Sequence, residues 1–289
     1  MATSKIKLGR NSYGKSKVRL LKVSRSGADN RWHDIRELTV DISLSGDFDA
    51  VHTRGDNSKC LPTDTMKNTV YALAKDDPID SIESFATRIA AQFVETHLPA
   101  SRAVVAISES AWARAELAGG SHPHTFVRGS QERADCTSIF ERAFDPRVSS
   151  GLTELILLKS ADSAFSGFTR DNYTTLRETE DRIFCTSVSA SWRFGERRAS
   201  NYNEARRAVR QALIETFAAH ESKSVQQTLY AMGEAALARC DQVESIHLIM
   251  PNKHCLLVDL SPFGLENKNE IFVPTDEPHG LIEATVERA

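Results

Sequence analysis

Hydrophobic and polar side chains alternate with period two along much of this chain, a pattern typical of half-buried antiparallel strands. The clearest run is Leu38–Leu44, in which every second residue is apolar. A second strand, Lys17–Val23, precedes it, and the stretch Ser26–Asn30 between them has the composition of a turn. The two runs therefore predict a hairpin. Further strands are predicted at residues 103–108, 124–128, 137–143, 152–158, 185–192 and 281–286.

Three other segments repeat apolar residues every three to four positions, which predicts amphipathic helices. The first begins at the capping-box pair Asp80 and Glu83. Its apolar face contains Ile82, Phe85, Ile89 and Phe93. The other two are predicted at Asn203–His220 and Ser224–Cys240, and a short strand is predicted at Val70-Tyr71.

The order of these elements predicts an α+β chain with two similar halves. Each half has strands, then helices, then strands, which favours antiparallel sheet with helices on one face. A length of 289 residues suits two units, which we place at residues 1–147 and 148–289. The two halves show no convincing residue-level repeat, so the duplication rests on element order alone.

The segment Pro251–His254 is expected to form the turn of a hairpin. Period-two apolar positions flank it on both sides, at Ile246, Leu248, Met250, Leu256, Val258 and Leu260. Asn252 and His254 would then lie at the tip, where polar groups can reach a ligand. Taken alone, His254 is more often an ordinary surface histidine.

Composition excludes several classes of protein. The chain is 40% hydrophobic and 26% charged, with a net charge of −3, so no large basic field would attract nucleic acid or an anionic membrane. The five cysteines are scattered and odd in number, which favours free thiols. There is no apolar signal core and no 18-residue apolar run. We therefore expect a cytoplasmic protein.

A metal or nucleotide cofactor is not expected. His122 and His124 have a spacing that could ligate a metal on a strand, but no carboxylate or cysteine set completes the site. His52 and His247 add no further ligand pattern. The chain also lacks a glycine-rich phosphate loop and a dinucleotide-binding fingerprint.

Five separated motifs occur in an order and spacing that resemble the urate oxidase (uricase) family: Tyr13–Lys15, Pro62–Tyr71, Gly167–Leu176, Val225–Thr228 and Pro251–His254. The resemblance runs from about residue 7 to 286 and is weakest between 100 and 148. It implies the tunnelling fold, in which paired subunits close a β-barrel around a tunnel and two barrels stack into a homotetramer. It also implies cofactor-free oxidation of urate by dioxygen and water to 5-hydroxyisourate and hydrogen peroxide. The final Val-Glu-Arg-Ala is not a peroxisomal address, in keeping with a cytoplasmic location.

The resemblance also implies the proton-transfer residues. Lys15 would be the base, the Thr63 hydroxyl would conduct the proton, and His254 would orient the lysine or return the proton. A lysine can act as a base near neutral pH only when desolvation or a neighbouring cation lowers its pKa. Without the resemblance, Lys15 looks like a solvated lysine, and Thr63-Asp64 looks like a capped turn.

The substrate-binding residues follow from the same resemblance. Arg182 and Gln226 would hold the edge of the purine, because a guanidinium offers two donors and an amide offers one donor and one acceptor. Phe165 would stack on the ring, although a core phenylalanine is the ordinary interpretation. Val225 would contact the ring edge, and Asn252 would hold water or dioxygen on the other face.

The N–H groups of Thr63 and Asp64 would complete substrate binding. The resemblance implies that Lys15, Thr63 and Asp64 come from one subunit and that its neighbour supplies the other site residues. Arg170 competes with Arg182 by composition, but the run Thr174–Arg182 favours Arg182. Two alternatives stay open: another purine- or pterin-binding enzyme of the same fold, and a purely structural oligomer. Pterin enzymes of this fold grip their ligand with a glutamate, whereas Gln226 has that role here.

Overall fold

The computed structural model describes residues 6–27, 29–76, 78–195 and 201–289. The chain divides into two compact units, Met1–Ser150 and Gly151–Ala289. Both contain antiparallel strand pairs and helices. The predicted α+β class is therefore confirmed. No helix within the described ranges has the length and apolar character needed to cross a membrane.

The first unit contains four long strands in the order β1-β2-β3-β4, each antiparallel to its neighbour. They are β1 (Tyr13–Ser26), β2 (Trp32–Gly46), β3 (Ala100–Leu117) and β4 (Gly120–Glu141). The predicted β1–β2 hairpin is confirmed, and Ala28 of its connection lies outside the described residues. The segments predicted at 124–128 and 137–143 belong to one strand, β4. Two register shifts in the β3–β4 pairing interrupt the alternation that would have revealed its full length.

Three helices belong to the first unit: α1 (Asp49–Arg54), α2 (Thr63–Asp76) and α3 (Ile82–Thr96). The core lies between the sheet and these helices. It includes the alternating β2 residues and the apolar face of α3, with Leu38, Val40, Ile42, Leu44, Phe85, Ile89 and Phe93 all 3% exposed or less. The predicted helix face is therefore confirmed.

Two local predictions in this unit are wrong. Val70-Tyr71 is not a strand but lies within α2, because Met66, Val70 and Ala74 are spaced by four residues and are all buried. The N-cap of α3 is Ser81 rather than Asp80. The Ser81 hydroxyl accepts a hydrogen bond from the Ser84 N–H at 3.1 Å, and Ser81 has the extended backbone of a capping residue.

The second unit contains four strands in the order β5-β6-β7-β8 and two helices. The elements are β5 (Arg147–Lys159), β6 (Phe184–Phe194), α4 (Tyr202–Ala219), α5 (Val225–Arg239), β7 (Val243–Leu257) and β8 (Phe272–Glu287). Helices α4 and α5 confirm the two predicted helices to within two residues at either end. A single core packs α4 and α5 against the strands, with Trp192, Leu213, Met232 and Leu248 almost fully buried.

The hairpin predicted at Pro251–His254 is wrong. Strand β7 runs through this segment without turning, and Asn252 and His254 both pair with β8. The pairing shifts register between them: Asn252 lies opposite Gly280, whereas His254 lies opposite Thr275. Residues 276–279 of β8 therefore lie opposite a single residue of β7, Lys253. This irregularity produced the break in alternation that resembled a turn.

Candidate active site

Lys15 lies near the start of β1, opposite Ile42 of β2, and is half-buried. The register of the β1–β2 pairing shifts immediately after it, between Lys15 and Val18. Lys17, inside the shift, has a φ of 56°, and its N–H donates to the Asp41 carboxylate at 2.8 Å. A β-bulge redirects the side chains beside it. A backbone irregularity therefore lies immediately after the candidate base.

Gly14 allows β1 to approach β2 closely at this point. A Cβ atom at Gly14 would lie 1.8 Å from the Ile42 carbonyl oxygen, so any other residue would push the two backbones apart. The close approach of the two strands therefore explains why the residue before Lys15 is a glycine.

Tyr13 connects β1 to the segment in front of α2. The Leu61 N–H donates to the Tyr13 hydroxyl at 2.8 Å, and Tyr13 packs edge-on against Phe48. Burial raises the pKa of Tyr13 to about 12. This link fixes where the chain enters α2 relative to Lys15. The sequence pattern did not predict this link, although the Tyr-Gly-Lys motif includes Tyr13.

Thr63 and Asp64 are the first two residues of α2 and are exposed. The Pro62 carbonyl accepts the Met66 N–H at 3.2 Å, which begins the helix. First-turn N–H groups of a helix have no intrahelical acceptor and favour an anion. The pair therefore presents donors from a helix terminus instead of from the expected turn.

Asp64 is held by two hydrogen-bond donors on its own helix. Lys67 donates to its carboxylate at 2.5 Å and Asn68 at 3.2 Å. The hydrogen bond from Lys67 is the main cause that lowers the pKa of Asp64, and the positive charge of Lys15 adds to it. The first unit thus brings Lys15 close to the start of α2, where Thr63 also lies.

Replacing Gly14 by Ala should displace the strand that carries Lys15. We expect a loss of about 1–3 kcal/mol of unfolding free energy from overpacking, together with lower turnover. Urea denaturation and steady-state kinetics would measure the two effects. Gly9→Ala is the matched control, because a Cβ atom at Gly9 would meet nothing within 4 Å. Equal stability of the two variants would contradict the close approach.

In the second unit, Phe165 and Arg182 contact one another. The Arg182 guanidinium carbon lies 5.3 Å from the centroid of the Phe165 ring, within the range of a cation–π interaction. Phe165 exchanges two backbone hydrogen bonds with Thr179, at 2.8 and 3.1 Å, and its ring stacks on Phe168 at 5.0 Å. Burial lowers the pKa of Arg182. A half-buried guanidinium beside a half-buried aromatic face is suited to a planar anion.

Arg170 has a different environment. Its guanidinium lies over Phe168, 5.2 Å from the ring centroid, and 3.9 Å from the Glu178 carboxylate. About half of its side chain is exposed. It therefore resembles a surface arginine more than Arg182 does.

Helix α5 begins next to two further candidates. The Ser224 hydroxyl accepts the Gln227 N–H at 3.2 Å and caps the helix. Gln226, in the first turn as expected, is exposed. Val225 is 4% exposed and packs within the core of the unit, so in this chain its side chain helps to anchor the helix start.

Asn252 and His254 are half-buried on β7. Asn252 pairs with Thr186 of β6 and with Gly280 of β8. The Thr275 hydroxyl donates to the His254 carbonyl oxygen at 3.2 Å, which fixes the backbone next to the register shift. As at Lys15, a β-sheet irregularity lies beside a candidate functional residue.

The candidates therefore form two groups, one in each unit. Lys15, Thr63 and Asp64 belong to the first. Phe165, Arg182, Val225, Gln226, Asn252 and His254 belong to the second. A surface cavity of about 640 Å³ lies along residues 257–267, and its lining includes none of these candidates.

The histidines considered as metal ligands are partly clustered. The ring centroids of His122 and His124 are 4.6 Å apart, and those of His33 and His124 are 5.7 Å apart. Across the described ranges, however, no three histidine, cysteine or acidic side chains are arranged to hold a metal ion.

Comparison with known proteins identifies close relatives. The family model described as Uricase matches residues 11–138 and 148–283. The uricase of Arthrobacter globiformis is 41% identical over 286 residues, covering 99% of this chain and 91% of that protein. The uricase of Danio rerio is 39% identical, covering 96% of this chain and 93% of that protein.

Two solved uricase structures are also similar to this chain in fold. The crystal structure of the Arthrobacter globiformis uricase has a TM-score of 0.92 at 40% identity, covering 99% of this chain and 96% of that one. A uricase structure from Bacillus fastidious has a TM-score of 0.83 at 22% identity, covering 96% and 93%, and supports the likeness of fold alone.

Proposed function

Because this chain belongs to the uricase family, we infer that it oxidises urate with dioxygen and water to 5-hydroxyisourate and hydrogen peroxide. One observation carries this conclusion: the family match spans both units and includes every candidate residue from Lys15 to His254. The fold is likewise the tunnelling fold of the uricases. Neither open alternative, a pterin-binding relative or a structural oligomer, gains support from the relatives.

The chemistry makes modest demands on the protein. Urate that loses a further proton is electron-rich enough to transfer electrons to dioxygen directly. The protein then needs to remove a proton, position the ring and keep the oxygen side dry. The reaction consumes one dioxygen and one water for each urate, and the two electrons leave as hydrogen peroxide. We propose that it proceeds without a cofactor.

Proton removal is assigned to Lys15, Thr63 and His254. Lys15 accepts the proton, the Thr63 hydroxyl conducts it, and His254 orients the lysine or returns the proton. The charge of Lys15 lies near enough to lower the pKa of Asp64, the neighbour of Thr63, and this supports placing Lys15 and Thr63 in one relay.

Substrate binding is assigned to the remaining candidates. Arg182 and Gln226 hold the purine edge, and the Thr63 and Asp64 N–H groups add donors from a helix start. Phe165, whose half-buried side chain lies beside Arg182, stacks on the ring. Val225 is assigned to the ring edge. Its side chain is buried in the core and anchors the start of α5 there. Asn252 holds the oxygen-side ligand.

We further propose that each site is shared between two subunits of a homotetramer. Lys15, Thr63 and Asp64 would come from one subunit and the other residues from its neighbour, with paired subunits closing a β-barrel tunnel. The candidates of the two halves of the site lie in different units of the chain, as this arrangement requires. Residues 1–147 and 148–289 would each be one tunnelling-fold repeat.

The direct test is simultaneous measurement of two signals. Urate should lose its ultraviolet absorbance while dioxygen is consumed in equal molar amount. Loss of absorbance without oxygen uptake, or no loss by a folded oligomer, would contradict the proposed reaction.

Replacing Arg182 by Ala should chiefly weaken urate binding. A charge-assisted bidentate contact is lost, and we expect a cost of about 2–4 kcal/mol. Titration with the unreactive analogue 8-azaxanthine would measure it. Arg170→Ala is the matched control, since this arginine contacts Phe168 and Glu178 at the surface. Weaker binding by the Arg170 variant instead would identify Arg170 as the anchor.

A further inference from the structure

Two residues lie directly opposite Asn252 in the sheet. Its neighbours directly across the sheet are Thr186 on β6 and Gly280 on β8. Gly280 has no side chain, so Thr186 is the only one of these two neighbours that can hold the Asn252 carboxamide from the side. Directly opposed residues of antiparallel strands share a face, with Cβ atoms about 4.5–5.5 Å apart. The Thr186 and Asn252 side chains are therefore adjacent on one face of the sheet.

Thr186 itself is in an unusual state. It is 0% exposed, and its hydroxyl has no hydrogen-bond partner among the residues that the structure describes. Its same-face neighbours along β6, Phe184 and Val188, are apolar and buried. A buried hydroxyl without a partner is costly, so a threonine in place of a valine here needs a reason. Asn252 is the adjacent group that could provide it.

We propose that Thr186 is a positioning residue for the proposed oxidation of urate, acting through Asn252. A rotation about the Thr186 Cα–Cβ bond brings the hydroxyl to the Asn252 side-chain carbonyl oxygen, to which it donates a hydrogen bond. The carboxamide is then fixed with its NH₂ group directed at the oxygen-side ligand, water or dioxygen. This inference rests on the proposed function, because it assigns Thr186 to the site in which Asn252 acts.

Two variants distinguish the effect of the Thr186 hydroxyl from the effect of the side-chain shape. Thr186→Val keeps the shape and removes the hydroxyl, whereas Thr186→Ser keeps the hydroxyl and removes a methyl group. We expect kcat to fall about tenfold in Thr186→Val, the size expected for the loss of one hydrogen bond, and to recover in Thr186→Ser. Affinity for 8-azaxanthine should change less than about threefold. A packing role predicts the reverse order, with Val active and Ser impaired.

A double-mutant cycle tests whether Thr186 acts through Asn252. In an Asn252→Ala background, Thr186→Val should reduce kcat no further, since its target is already absent. Equal fold losses in both backgrounds would overturn the proposal, as would a Thr186→Val enzyme with wild-type kcat. The unmodified protein is assayed in parallel for urate loss and oxygen uptake. An inactive wild type contradicts the proposed function, whereas an active wild type with an active Thr186→Val variant contradicts only the role of Thr186.

Discussion

Lys15→Met and Thr63→Ala should each remove most urate turnover while leaving urate binding largely intact. Lysine and threonine are two links of one proton path, and loss of either link stops transfer. General acid–base catalysis typically contributes about 10²–10⁴-fold, which sets the expected size of the loss. Single-turnover absorbance measurements would give the rate, and 8-azaxanthine titration would give the affinity.

The double variant distinguishes a relay from two independent contributions. Residues that act as a unit are strongly non-additive, so Lys15→Met with Thr63→Ala should be little worse than either single change. If the two fold losses multiply instead, the relay is wrong. Lys75→Met and Thr69→Ala, both on α2, are matched controls that replace the same residue types away from the proposed site.

Subunits carrying different lesions should rescue one another. In a hybrid of Thr63→Ala and Arg182→Ala subunits, one shared site would receive both lesions and the other would receive neither. Random pairing makes half of the pairs hybrids with one intact site of two, so activity should recover to about a quarter of wild type. Assay of the co-expressed mixture, purified through one tag common to both chains, would measure this recovery, and a second tag on one chain would show that hybrids had formed.

Two further measurements make the result decisive. Hybrids of Thr63→Ala with Lys15→Met subunits should not recover, because both lesions lie in the same half of the site and every site keeps one of them. Purified Thr63→Ala/Arg182→Ala hybrids without activity would contradict the shared site, although the chain would still belong to the uricase family.

Local periodicity was sufficient for most elements of the fold. The helices α3, α4 and α5 follow from apolar residues spaced by three and four, because one face of a helix is buried whatever the rest of the chain does. The alternation at Leu38–Leu44 identified β2 for the equivalent reason in a sheet. The strand predicted at Val70-Tyr71 was wrong because two residues cannot distinguish the period of a strand from that of a helix. Met66, Val70 and Ala74 together show the helical period.

The candidate site was predicted less from physics than from the family motifs. Nothing in the local sequence of Phe165 or Arg182 indicates that they contact one another, since the contact depends on the pairing of Phe165 with Thr179. The motifs named these residues without explaining their arrangement. Their assigned roles stay predictions that the variants above would test.

The sequence by itself thus determined the helix faces and most strand positions, because burial imposes a period on neighbouring residues. Its motifs determined the family of this protein. Only the tertiary structure decided that β7 continues through Asn252 and His254, and that a bulge follows Lys15. It also revealed the bond from Leu61 to Tyr13 and the close approach at Gly14. These features depend on which strand lies opposite and in which register, and a partner distant in sequence leaves no periodic trace in the segment it contacts.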